Sequence, residues 1–177
     1  MKTSKNFLLC LAASFLFFSC DKNNNDNNNE TVSSQDKTFI SQTALANTAE
    51  VQAGQLASTT ADSSVIQMFA QQMVSDHTTA QTDLKTLGNT VNVAVPDSVD
   101  SAHASLMDTL KTLTGRTFDS VYITSQIADH RAVISSFQQE ISSGNRSEVI
   151  NYANKYLPKL QMHLQMADSI ATIMNFK

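Results

Sequence analysis

Apolar residues recur every three or four positions in three long segments, residues 64–88, 117–143 and 145–174, and less sharply in a fourth, residues 36–58. This spacing places them along one face of an α-helix, a face that must be buried against a partner. The chain has only four glycines and two prolines in 177 residues, too few for the many turns of an all-β protein. The pattern predicts an all-α fold in which four long helices form a bundle.

The lengths of the connections predict the order of the helices in the bundle. Short turns join the first long helix to the second and the third to the fourth, so the helices of each pair are antiparallel neighbours. Residues 89–116 link the two pairs and contain a shorter helical segment, Ser98 to Leu113, which spans roughly 24 Å at 1.5 Å per residue. The prediction is a ferritin-like four-helix bundle with a short extra helix in the long crossover between the second and third bundle helices.

Capping and helix-breaking residues set the predicted boundaries. Asp36, Ser64 and Asn145 are predicted to cap the first, second and last long helices, because their side chains accept hydrogen bonds from free backbone N–H groups. Gly88 is predicted to end the second helix as the residue that follows its last turn. Pro158 is predicted to kink or split the last helix, since proline removes one backbone hydrogen bond.

The N-terminal residues predict export and anchoring. A basic start precedes an apolar run from Phe7 to Phe18, which is shorter than the roughly 20 residues of a membrane-spanning helix. The run ends at Ser19-Cys20, which resembles a bacterial lipobox. Residues 1–19 are therefore predicted to be a lipoprotein signal peptide, and Cys20 the lipidated N-terminus. The alternative is an ordinary secreted protein that is cleaved nearby.

An asparagine-rich stretch follows the cysteine. Residues 20–35 are predicted to be a lipidated, disordered tether, because almost nothing in them can bury apolar surface. Residues 36–177 are predicted to be the helical bundle domain, which contains no cysteine and therefore no disulfide. The expected location is the cell envelope, with the domain held at a bacterial membrane by its N-terminal lipid and facing the periplasm or the surface.

Charge and motif content limit the function. The net charge of −4 argues against a nucleic-acid partner, whose phosphates attract a basic face. The sequence has no nucleophile motif and no glycine-rich phosphate loop. It therefore leaves enzymatic activity undecided and favours a non-enzymatic role. A protein or small-molecule partner is left open.

On three of the predicted helices a histidine occupies a core-facing position where an apolar residue is expected. These residues are His77, His130 and His163, and Glu50 has a similar position on the less regular first helix. In the predicted topology the four residues fall within about five residues of one level, or roughly 8 Å along the bundle. Imidazoles with a carboxylate suit a mononuclear site for zinc, iron, copper or nickel. The alternative is a hydrogen-bonded Glu-His network without metal.

Each of the first two histidines follows an aspartate. Asp76 and Asp129 point about 100° away from their histidines along the helix, so we interpret them as groups behind the ligands or at the surface. A ferritin-type di-iron centre requires Glu-x-x-His on two helices, and the sequence has no Glu-x-x-His. The expected cofactor, if there is one, is therefore a single transition-metal ion.

Several blocks in order give the chain a family resemblance. They are Leu56-Ala57 after Glu50, Phe69-Ala70, Met73 to His77, Leu113 to Tyr122, Asp129-His130, and Leu157-Pro158 before His163. Over residues 36–174 the chain resembles the bacterial domain of unknown function 4142, a family of exported proteins grouped with ferritin-like folds. The resemblance implies a fold and an exported location, and it implies no established activity.

Two functions follow as hypotheses. The first is a membrane-tethered, non-enzymatic binding or stress-associated module of the cell envelope. The second is a metal-dependent protein that uses a mononuclear His/Glu site inside the bundle.

Overall fold

The computed structural model describes residues 31–176, and within this range the chain forms five helices and no strand. They are α1 (Ser34–Thr60), α2 (Ser64–Val91), α3 (Ser101–Leu110), α4 (Gly115–Ser143) and α5 (Ser147–Met174). The predicted signal peptide, Cys20 and most of the predicted tether lie outside the described residues. No helix within residues 31–176 combines the length and the apolar character needed to cross a membrane.

Two apolar clusters at opposite ends of the bundle show the helix directions. One cluster joins the end of α1 and the start of α2 to the start of α4 and the end of α5, with Ala57, Phe69, Tyr122 and Ala167 among its members. The other joins the opposite helix ends, with Phe39, Leu84, Phe137 and Tyr152 among its members. Helices α2 and α4 therefore run parallel. The predicted all-α, ferritin-like bundle with one long crossover is confirmed.

Helix α3 lies outside the four-helix bundle, against α1 and α4. It is shorter than the predicted segment 98–113, because Asp100 caps it by accepting hydrogen bonds from the backbone N–H groups of Ala102 and His103. Leu110 is the one buried residue in this helix. Leu106 and Met107 are partly buried against the same apolar cluster, so the crossover helix is held to the bundle along its second half.

The predicted cap at Asp36 is wrong, as is the one at Asn145. Helix α1 begins at Ser34 with Ser33 as its cap, so residues 34 and 35 belong to the bundle and not to the tether. The Asp36 carboxylate accepts a hydrogen bond from the Ser33 N–H at 2.6 Å and another from the Asn145 N–H at 2.9 Å. One buried aspartate thus joins the starts of α1 and α5, a long-range contact that local sequence rules do not include.

The start of α2 also differs from the prediction. Ser63 occupies the cap position and its side chain makes no capping hydrogen bond. Asp119 of α4 instead accepts from the backbone N–H groups of Asp62 and Ser63, at 3.0 and 3.1 Å. A carboxylate from a neighbouring helix therefore accepts hydrogen bonds at the start of α2, the role that was predicted for Ser64.

Gly88 and Pro158 both lie inside helices. Helix α2 continues to Val91, because Asn92 adopts the left-handed conformation (φ 55°) that ends it. A Cβ atom on Gly88 would lie 2.7 Å from the Val93 carbonyl oxygen, so the glycine allows the chain to fold back closely over the helix. Helix α5 runs without interruption past Pro158, and the predicted split does not occur.

Candidate metal centre

His77, His130 and His163 meet in the middle of the bundle, and we call these three residues the histidine site. One ring nitrogen from each lies within 4.8 Å of the others, and the ring centroids are 5.4 to 5.7 Å apart. All three side chains are buried. They meet because each occupies a core-facing position of its helix at the same level of the bundle.

His163 of α5 is oriented by Asp76 of α2. Its Nε2 lies 2.9 Å from Asp76 Oδ2, and the same carboxylate accepts hydrogen bonds from Lys159 at 2.7 Å and from Gln72 at 2.6 Å. Burial alone would raise the pKa of Asp76, but the hydrogen bonds from Lys159, Gln72 and His163 lower it to about 2. An ionised carboxylate only accepts, so His163 Nε2 carries the proton and Nδ1 keeps its lone pair.

His130 of α4 is oriented by its own helix. Its Nδ1 lies 2.9 Å from the Gln126 carbonyl oxygen, one turn earlier, and a carbonyl oxygen can only accept. The Nε2 lone pair of His130 therefore points away from that carbonyl, and it lies 3.4 Å from His163 Nδ1. Two unprotonated nitrogens face each other, so no hydrogen bond joins them.

His77 of α2 is oriented by a chain of amides. Its Nδ1 lies 2.9 Å from Asn47 Oδ1, and the amide group of Asn47 donates to Gln81 Oε1 at 3.4 Å. Gln81 in turn donates to the Pro96 carbonyl oxygen at 3.1 Å, which fixes the direction of the whole chain. His77 therefore donates from Nδ1. Its Nε2 is buried and has no hydrogen-bond partner among residues 31–176.

The environment keeps the three imidazoles neutral. Burial is the largest influence on each of them and lowers the pKa of all three, that of His77 well below its usual value and that of His163 to about 4. Neighbouring histidines lower the pKa of His77 and His163 further. Neutral imidazoles with free lone pairs are the form that binds transition metals.

Glu50 of α1 lies behind His130. Its Oε1 is 3.6 Å from His130 Nδ1, the nitrogen that carries the proton, and its Oε2 has no hydrogen-bond partner in the described part of the chain. Desolvation raises the pKa of Glu50 to about 7, although a hydrogen bond from the Gln126 side chain opposes the rise. The structure thus places Glu50 against the histidine site but on the far side of one ring.

The two aspartates of the Asp-His pairs have different positions. Asp76 contacts His163, across the interface between α2 and α5, and not the histidine that follows it. Asp129 faces α3, where its Oδ2 lies 4.0 Å from His103 Nε2. His103 also donates from Nδ1 to Asp100 at 2.7 Å, so it is half-buried at the crossover and not a plain surface residue.

Several residues that orient the histidines were missed by the sequence analysis. Asn47 is the clearest example, since it lies one helical turn before Glu50 on the same inner face of α1. Its position was a usable signal, because a buried amide requires partners. Lys159 and Gln72 gave no such signal, since exposed or half-exposed polar residues are common on helices.

The cavity at the histidine site is small. It has a volume of about 20 Å³, and apolar and aromatic side chains line it together with these polar residues: the three histidines, Glu50, Asp76, Asn47, Thr43 and Lys159. A single water requires about 10–15 Å³ of such space. The space therefore suits one ion or water and excludes an organic substrate.

Comparisons with known proteins place the fold. A structure described as a crystal structure of a DUF305 fragment from Deinococcus radiodurans matches with a TM-score of 0.70 at 9% sequence identity, covering 79% of this chain and 97% of that one. This similarity concerns the fold alone. A search of curated proteins finds no match. A family model described as domain of unknown function (DUF4142) matches residues 22–170, most of the chain. The protein therefore belongs to the DUF4142 family.

Proposed function

We propose that the protein is a lipid-anchored module of the bacterial cell envelope that binds one transition-metal ion at the histidine site. The observation that carries the proposal is the direction of the ring protons. In each histidine one nitrogen donates to an oxygen acceptor, and the other nitrogen faces the centre of the site with a lone pair.

The acceptors are those that accompany metal-binding histidines. A ligating imidazole usually donates its second N–H to a carboxylate or a carbonyl, which fixes its tautomer and its orientation. Here the acceptors are the Asp76 carboxylate, the Gln126 backbone carbonyl and the Asn47 side-chain carbonyl. In a metal-free network a proton would lie between neighbouring rings and form a hydrogen bond. Here the single N–H of each ring already donates to one of these oxygens, so no proton lies between the rings.

The spacing of two of the three ring nitrogens also favours an ion. Metal–nitrogen distances of about 2.0–2.1 Å place two nitrogens of a tetrahedral site about 3.4 Å apart. His130 Nε2 and His163 Nδ1 are separated by 3.4 Å. Without an ion these two lone pairs repel each other in a buried site, which makes the arrangement costly unless a cation occupies it.

Three imidazoles suit zinc, copper, iron or nickel, and leave a fourth position for water. The cavity has no room for an organic substrate, so binding and holding the ion is the role that the geometry favours over catalysis. Two carboxylates lie beside the site: Asp76 holds His163, and Glu50 lies behind His130.

Anchoring through Cys20 completes the proposal. It is supported by the basic start, the short apolar run and the Ser19-Cys20 pair before a polar stretch. Ser33, the cap of α1, is separated from Cys20 by 12 residues, which allow a distance of at most about 45 Å when extended. The domain is then held within that distance of the membrane.

Metal content tests the binding function. The full chain, purified without a polyhistidine tag, is expected to bind one zinc ion per chain in calorimetric titration. His77→Ala, His130→Ala and His163→Ala should each weaken binding at least tenfold, while His103→Ala, a histidine outside the site, should retain it. Binding that is absent from the wild type, or lost equally in all four variants, would contradict the proposal.

Processing tests the anchor. Cys20→Ala should leave an unprocessed precursor and abolish labelling with a fatty-acid analogue, whereas Cys10→Ala, in the same segment, should be processed normally. Normal processing and labelling of Cys20→Ala would exclude lipidation at this residue.

A further inference from the structure

We propose that the ion reaches the histidine site through the small cavity between α1, α3 and α4, where His103 and Asp129 hold it in transit before Glu50 passes it inward. We call this space the α3 cavity, lined by Glu50, Gln126, His103 and Asp129 together with apolar residues. The inference rests on the proposed metal-binding function and concerns the route to the same site.

Glu50 connects the two spaces. It lines the α3 cavity on one side and the cavity of the histidine site on the other. Its side chain is only 7% exposed, yet Oε2 has no hydrogen-bond partner among the described residues. A buried carboxylate oxygen without a partner is an acceptor that a cation entering the cavity can use.

Two further buried oxygens lie near Glu50, one of them in the lining of the α3 cavity. Gln126 Oε1 and the Tyr122 hydroxyl also have no partner in the described part of the chain, and both residues are close enough to influence or hydrogen-bond Glu50. These oxygens offer acceptors for an ion or for the water that it brings along.

The outer mouth has the chemistry of a weak cation site. His103 donates from Nδ1 to Asp100, so when neutral it presents the Nε2 lone pair to Asp129 Oδ2, 4.0 Å away. That gap is too long for a hydrogen bond and wide enough for a shared ion. Both side chains are partly exposed, at 23% and 33%, so the mouth is open to solvent.

Charge favours this route over the opposite face of the bundle. No lysine or arginine within residues 31–176 lines the α3 cavity. At the interface of α2 and α5 the approach passes Lys159, whose ammonium group binds Asp76 at 2.7 Å and repels an incoming cation.

Loading kinetics test the route. The metal-free full chain is mixed with Co²⁺, whose visible absorption reports binding to imidazoles, and the loaded protein is then mixed with excess chelator to measure release. His103→Ala and Asp129→Asn are expected to slow loading and release by the same factor, roughly tenfold, the low end of what charged clefts contribute to association rates. The dissociation constant then stays within about twofold of the wild-type value. Asp108→Asn on the exposed face of α3 is the matched control and should leave both rates unchanged.

The outcomes separate the route from the binding function. Co²⁺ binding to all variants with wild-type rates would overturn the route and leave the metal site intact. A weaker dissociation constant that arises from faster release alone would place Asp129 in the bound complex and would also overturn it. Absence of Co²⁺ binding to the wild type would overturn both. Circular dichroism of each variant identifies loss of folding, and either variant alone is sufficient to show the paired slowing.

Discussion

The Asp-His pair occurs twice in the sequence, and the two copies have opposite surroundings. Asp76 on α2 is ionised, holds three hydrogen-bond donors and fixes His163. Asp129 on α4 lies beside the crossover helix, where desolvation is the largest influence and raises its pKa. Both histidines point inward, while the aspartate before each one faces a different neighbour.

The difference follows from packing. Residues one position apart on a helix point about 100° from each other, so when the histidine faces the core the aspartate faces the adjacent helix. For α2 that helix is α5, with Lys159 and His163 in reach. For α4 it is α3, with His103 nearby. The aspartate of the same dipeptide therefore anchors His163 on α2, whereas on α4 it forms part of the polar mouth of the α3 cavity.

Removing Asp76 should have the largest effect. Asp76→Ala leaves His163 and Lys159 without their shared acceptor, so the free energy of unfolding should fall by about 2–3 kcal/mol. Zinc affinity should fall by about 10–100-fold, as it does when partners behind metal ligands are lost. Urea unfolding of the metal-free protein and calorimetric zinc titration measure the two quantities. If Asp129→Ala produced losses of equal size, the contrast between the two copies would be incorrect.

A third buried carboxylate tests whether neighbours determine the pKa of a buried acid. Burial and the adjacent Asp36 carboxylate raise the pKa of Glu140 from 4.5 to about 7. The folded state therefore favours the protonated acid, and its contribution is complete below pH 4.5 and lost as the pH rises through 7. Stability should fall by roughly 1–3 kcal/mol across this window. Glu140→Gln should reduce the slope by this amount, because the amide keeps a donor for Asp36 and does not titrate, while Glu50, whose pKa is also raised to about 7, still contributes.

Urea unfolding between pH 4 and 8 measures the effect of Glu140. Glu148→Gln is the matched control, because Glu148 is more exposed and its pKa is lowered and not raised. A slope in Glu140→Gln that is as steep as in the wild type would assign the pH dependence to another group, Glu50 being the first candidate.

Asn47 does for His77 what Asp76 does for His163, but without a charge. Asn47→Ala should release the His77 ring, weaken zinc binding by about tenfold and lower stability by about 1 kcal/mol. Asn154→Ala removes an exposed asparagine on α5 and should change neither quantity. A larger loss in Asn47→Ala than in Asp76→Ala would show that charge is not what distinguishes the strong anchor.

The bundle and its crossover were predictable because they depend on spacing and loop length. Apolar steps of three and four residues along α2, α4 and α5 locate their buried faces, and residues 89–116 are long enough to return along the bundle. The cap of α1 is a local capping box of Ser33 and Asp36 that was missed, whereas the contacts of Asp36 with Asn145 and of Asp119 with Ser63 were not predictable, because they join groups far apart in the sequence. Local capping rules have no information on such contacts.

The histidine site was predictable only in part. Each histidine occupies a core-facing position of its helix where an apolar residue is expected. The predicted topology therefore already placed the three histidines close together. Their partners depend on the rotation of each helix about its axis, which the sequence does not specify. This is why Asp76 meets His163, why Asn47 was overlooked, and why Asp129 faces His103.

Changing Asp129 should have the smallest effect on stability. Asp129→Asn removes a charge that burial disfavours and that gains no lysine or arginine partner within residues 31–176, so the free energy of unfolding should change by less than about 0.5 kcal/mol. Combined with Asp76→Ala, the effects should add to within about 0.5 kcal/mol, because the two carboxylates share no partner. Urea unfolding of the four proteins in this cycle measures the coupling. A coupling energy of 1 kcal/mol or more would mean that the two faces of the histidine site act as one network, and the distinction between anchor and mouth would have to be abandoned.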